Sequence, residues 1–148
     1  MKGRPMSRLW LLGAAVAVLA PAALAQAPAG ADPRLEGVWT VTAAEKEMAP
    51  YDEIMGAVVT FKGDTFTVER TGGRSKWAGH VKADPKAGKI DLMNEADIFL
   101  PPLAGDKWEG LYRFNGQQLE IHTTMAHDPR PTEYLGGYDI VNLKLTKR

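Results

Sequence analysis

Val58-Val59-Thr60-Phe61-Lys62-Gly63-Asp64-Thr65-Phe66-Thr67-Val68-Glu69 is the stretch that decides the fold. Two runs of β-branched and aromatic residues flank Gly63-Asp64, which has the composition of a two-residue hairpin connection. Val59, Phe61, Phe66 and Val68 share one face, and Thr60, Lys62, Thr67 and Glu69 share the other. A period of two is that of an antiparallel strand with one buried and one wet side. The same pattern extends in both directions. Val38–Thr42 precedes the hairpin, and Lys76–Lys82 sets Trp77, Gly79 and Val81 against His80 and Lys82. Lys89–Met93 follows the turn Asp84-Pro85-Lys86-Ala87-Gly88. Leu111–Phe114 and Leu119–Thr123 join through Asn115-Gly116, and Ile140–Thr146 sets Val141, Leu143 and Leu145 against Asn142 and Lys144. Eight short strands with regular turn signals describe an all-β barrel or sandwich. Only Glu45–Met55 leaves room for a helical turn or two, and Pro50 limits it. Asn94–Lys107 and Thr124–Gly137 interrupt the rhythm, each about 14 residues long, a length that is often functional.

The chain of 148 residues carries 18 Lys+Arg against 18 Asp+Glu and has no Cys. Balanced charge offers no basic footprint for nucleic acid. The missing Cys removes disulfides, thiolate nucleophiles and Cys-based zinc sites. Lys2, Arg4 and Arg8 precede an uncharged apolar run from Leu9 to Ala25 that ends in Ala23-Leu24-Ala25. A basic start, an apolar run and a small-x-small ending read as a secretory signal over residues 1–25, cleaved near Ala25. The expected destination is the periplasm or the extracellular space, with no membrane span left after cleavage. Residues 26–33, rich in Ala, Pro and Gly, are expected to be a flexible lead-in. Residues 34–148 are expected to form one domain, and the chain left after cleavage, residues 26–148, carries 18 acidic against 15 basic side chains.

Leu35-Glu36-Gly37-Val38-Trp39 resembles the Gly-x-Trp opening of lipocalin-like barrels. The ending Leu143-Lys144-Leu145-Thr146-Lys147-Arg148 resembles the basic close of their last strand. The order of pieces is similar to a bacterial family of small exported lipocalin-like (calycin-type) domains of unknown function. Those pieces are Leu35–Trp39, Val59–Asp64, Lys89–Leu92, Gly110–Tyr112 with Asn115-Gly116, Arg130-Pro131-Thr132-Glu133-Tyr134 and the Leu-x-Leu close. The run Thr123-Thr124-Met125-Ala126 departs from the family in being weaker in apolar strand residues. The resemblance implies an eight-stranded antiparallel up-and-down barrel, with Gly37, Trp39 and Arg148 as structural residues and a cation over the Trp. It assigns no activity.

Such a barrel either fills its interior with side chains or leaves room for one small ligand. The expected inward set is Trp39, Val41, Val59, Phe61, Phe66, Val68, Trp77, Val81, Tyr112, Phe114, Leu119, Ile121, Val141, Leu143 and Leu145. The residues expected to meet a small apolar or amphipathic ligand are Phe61, Trp77, Trp108, Tyr112 and Phe114, with Arg130 and Glu133 at the rim. Pro129 and Pro131 would stiffen that rim, although an Arg130–Glu133 ion pair could equally just order the loop. The alternative is a filled barrel that meets a protein partner. His80 and His122 face outward by parity and His127 lies in a loop, so they read as solvated rather than as metal ligands. Asp91, Asn94, Glu95 and Asp97 lack the calcium-loop pattern, and Glu45, Glu47, Asp52 and Glu53 read as a solvated face. Ser75 stands in no nucleophile elbow. No cofactor, metal or catalytic set is expected.

Overall fold

A computed structural model of the chain describes residues 32–72, 76–96, 106–125 and 128–148. The strands are β1 (Gly37–Lys46), β2 (Ala49–Pro50), β3 (Val58–Lys62), β4 (Thr65–Glu69), β5 (Lys76–Asp84), β6 (Lys89–Ala96), β7 (Lys107–Asn115), β8 (Gln118–Thr124) and β9 (Ile140–Lys147). From β3 to β9 each strand pairs antiparallel with the next. β1 pairs with both β3 and β9, which closes an eight-stranded up-and-down barrel. The two-residue β2 only extends β1 outside that ring. The sequence reading of an all-β barrel is thus met, and the architecture is that of a lipocalin-like barrel. Among the described residues there is no α-helix, and no helix is long and apolar enough to cross a membrane. The expected signal over 1–25, residues 26–31, Ser75, Asp97 and His127 lie outside the described residues.

Alternation places the core. Trp39, Val41, Val59, Phe61, Phe66, Val68, Val81, Tyr112, Leu119, Ile121, Val141 and Leu145 are buried. Trp77, Phe114 and Leu143 are partly buried against them. Leu35, Ile54, Ala57, Ala83 and Ile90 complete the interior. A bulge at Thr42, between the Val41–Leu145 and Ala43–Lys144 pairs, shifts the parity of β1 and turns Ala44 inward. At Gly79 a Cβ would stand 2.0 Å from the Met93 carbonyl oxygen, so only glycine lets β5 and β6 approach this closely.

Two local expectations change. The room for helix over Glu45–Met55 is narrowed by strand, because Glu45 and Lys46 still pair with Asn142 and Val141 and again with Pro50 and Ala49. A two-residue turn at Glu47-Met48 follows, and only Asp52–Ile54 forms a single 3-10 turn. The β7–β8 connection is Gly116-Gln117, with Asn115 paired to Gln118, one residue later than the sequence cue.

The barrel has two unlike ends. One carries the short turns at Gly63-Asp64, 85–88 and Gly116-Gln117, together with the start of β1. The other is where β1, β4, β6 and β8 end and β3, β5, β7 and β9 begin, so both long interruptions start and return there.

Candidate functional site

At the long-loop end the interior keeps an apolar void of about 40 Å³, lined by Ile54, Val59, Phe61, Phe66, Val68, Trp77, Leu92, Asn94, Trp108, Ile121, Thr123, Leu143 and Leu145. Trp77 and Trp108 open β5 and β7, and both are only partly buried. Their rings therefore border the void near the mouth while Phe61 and Phe66, with centroids 6.4 Å apart, lie deeper. Two buried polar residues break the apolar lining. Thr123 is 1% exposed, and its Oγ1 has no hydrogen-bond partner among the described residues. Asn94 is buried as well, and its Nδ2 reaches the Asp106 carbonyl only at 3.5 Å. Both continue the inward parity of their strands, Ile90-x-Leu92-x-Asn94 and Leu119-x-Ile121-x-Thr123. That parity was the available signal; Asn94 looked like part of an acidic loop and Thr123 like the fading end of a strand.

The short-turn end is closed, and it claims two residues expected in the ligand site. Asp32, at the edge of the expected lead-in, is 2% exposed. It accepts hydrogen bonds from Tyr112 Oη at 2.6 Å and from Arg34 Nη2 at 2.7 Å and Nε at 3.1 Å. Burial alone would raise the Asp32 pKa, but these donors outweigh it and hold the carboxyl below its ordinary value. Tyr112 is pushed upward by burial and by the carboxylate beside it. The Arg34 guanidinium lies 4.6 Å from the Phe114 ring centroid. Tyr112 and Phe114 therefore pack under the 32–36 segment, remote from the void. Leu35 accepts the Trp39 indole N–H at 2.7 Å, which fixes the segment across the barrel floor.

The cation over Trp39 is Lys147, whose Nζ is 5.3 Å from the ring. Lys147 is the residue directly paired with Trp39, whereas Arg148 lies one step further and donates to Thr40 Oγ1 at 2.7 Å. Gly37 has φ +120, and a Cβ there would stand 3.1 Å from the Lys147 stem. In the basic close of the last strand it is thus Lys147 that stands over Trp39, while Arg148 ties the chain end to β1.

Arg130 and Glu133 are not at the mouth of the void. Arg130 crosses the outer wall, donating to the carbonyls of Ile90 at 3.1 Å and Gly110 at 2.7 Å and to the Asp91 carboxylate. Burial tends to raise the Asp91 pKa, but Arg130 and Lys107 outweigh it and hold it low. The expected Arg130–Glu133 pair is absent because Asp91 is the partner, and Glu133 stands exposed. The segment 128–139 is thus a strap on the outside of the barrel. It explains His122, which faces outward as parity requires yet is 2% exposed. Tyr134 covers it at 5.6 Å, and Arg113 stacks on the far ring at 4.3 Å. His122 Nδ1 meets Asn142 Oδ1. The expectation of a solvated His122 fails because strand alternation says nothing about a loop folding back over the wall.

The remaining candidates separate. His80 Nε2 pairs with Glu95 at 2.5 Å, and Glu53 pairs with Arg70 at 3.1 Å. Asp91, Asn94 and Glu95 face different partners. Among the described residues no group of three or more His, Asp or Glu gathers as a metal site. The fold defines the protein's class, a closed eight-stranded antiparallel barrel with one floored end. Comparison of the chain with models of known protein families and with curated proteins finds no match.

Proposed function

We propose that the protein is an exported, non-enzymatic binding barrel of the lipocalin-like kind, which takes a small apolar ligand through its Trp77/Trp108 end. The observation that carries this reading is the apolar void beneath two partly buried indoles, opposite an end sealed by Asp32, Arg34, Leu35 and Trp39. One floored end and one aromatic-rimmed end give a ligand a single direction of entry. Phe61, Trp77 and Trp108 are the proposed ligand contacts. The N-terminal basic, apolar and small-x-small pattern supports export.

A second reading, a filled barrel that meets a protein partner, draws on the size of the void. About 40 Å³ holds a few small atoms' worth of ligand rather than a folded lipid. Native mass spectrometry of the protein purified from its own exported fraction separates the two. A reproducible adduct that is lost on denaturation supports ligand binding. A clean mass from every preparation, with no gain on exposure to short-chain apolar compounds, favours the filled barrel.

A further inference from the structure

Resting on the binding reading above, we infer that the ligand is a neutral amphiphile: a slender apolar chain ending in one hydroxyl or carbonyl group, which hydrogen-bonds to Thr123 Oγ1. Thr123 lines the otherwise largely apolar void, fully buried, with a hydroxyl that has no hydrogen-bond partner among the described residues. Buried hydroxyls normally have partners, because losing water without a replacement hydrogen bond is costly. Oγ1 can both donate and accept, so it suits an alcohol as well as a carbonyl. Asn94, also buried and lining the same void, stands as the second polar residue there, its side-chain Nδ2 reaching the Asp106 carbonyl at 3.5 Å.

The lining excludes a charged end group. Among the described residues no Lys, Arg, His, Asp or Glu borders the void, so an ionised carboxylate or ammonium there would be stripped of water without a counter-charge from them. The size limits the rest. The void accepts the polar end and the first few carbons, and the remaining chain leaves past Trp77 and Trp108.

The test uses 1-octanol, octane and octanoate at pH 8 as probes, titrated into the protein and followed by tryptophan fluorescence and amide NMR shifts. Octanol is expected to bind one to one, roughly tenfold tighter than octane and at least tenfold tighter than octanoate. Thr123→Val is expected to remove the preference for octanol over octane, leave octane binding unchanged, and leave the ligand-free protein at least as stable. Thr123→Ser, which keeps the hydroxyl, is expected to restore the preference and guards against a folding defect in the valine variant. Equal binding of octanol and octane, or octanoate binding as tightly as octanol, would overturn the amphiphile inference while leaving the binding site standing. Failure of all three probes to bind would instead overturn the binding reading itself.

Discussion

Replacing Asp32 with Ala removes the group that ties the N-terminal segment to the barrel floor. The carboxylate accepts from Tyr112 at 2.6 Å inside the protein, and Tyr112 is 3% exposed. Loss of that acceptor strands a buried phenol, which costs about 1–3 kcal/mol. The Arg34 contribution is smaller, since its side chain is 58% exposed and solvent screens the pair. The expected destabilisation is therefore about 2–3 kcal/mol, read from urea unfolding followed by tryptophan fluorescence. Much of it should vanish in a Tyr112→Phe background, where no phenol is left stranded. The double-mutant cycle is expected to show a coupling of about 1–2 kcal/mol. An Asp32→Ala protein within about 0.5 kcal/mol of the parent, or strictly additive effects with Tyr112→Phe, would refute the floor as described.

Further expectations follow from the same geometry. Arg130→Met keeps the aliphatic stem but removes the donors to Ile90, Gly110 and Asp91. It should cost about 2 kcal/mol and speed hydrogen exchange over 128–139, and unchanged exchange would contradict the strap. Asp32 and Asp91 have lowered pKa values in the folded state, so each contributes stability above the ordinary carboxylate pKa near 4. That stability should be lost as pH falls below about 4, less steeply in Asp32→Asn, and parallel acid-unfolding curves would argue against the assignment. Tyr112 titrates in the opposite sense: its raised pKa adds stability that is complete below about 10 and lost above it. Tyr112→Phe should flatten the alkaline limb of the stability curve. Gly79→Ala, with a Cβ 2.0 Å from a backbone oxygen, should cost about 3 kcal/mol or more. Gly116→Ala, in open space at φ +59, should cost only about 1–2 kcal/mol. Similar Tm losses for the two would count against the β5–β6 approach.

The barrel was legible because its information is local. Period-two alternation, the Gly63-Asp64 turn and the Asn115-Gly116 cue, which marks its hairpin one residue early, need only neighbouring residues, and all fifteen residues of the expected inward set lie in or against the core. What escaped the sequence was contact between distant segments. Asp32 sits in an Ala/Pro/Gly-rich stretch, and only its meeting with Tyr112, 80 residues away, makes it structural. His122 has the parity of a surface residue, and only the returning strap buries it. Tyr112 and Phe114 were placed correctly on the inner face, but alternation gives the side of a wall and not the height along the barrel. Height depends on register and on which end is sealed, so both residues serve the floor. The same loss of height information hid Thr123 and Asn94, which share the void with Trp77 and Trp108.

The most direct test of the central claim, a ligand site at the Trp77/Trp108 end of a barrel floored at the other, is a crystal structure determined under xenon pressure. Xenon enters small dry voids without needing a polar partner. The expected result is one xenon atom inside the barrel, between Phe66, Trp77, Leu92 and Trp108. Xenon beside Tyr112 and Phe114, or an interior that takes up none, would contradict it.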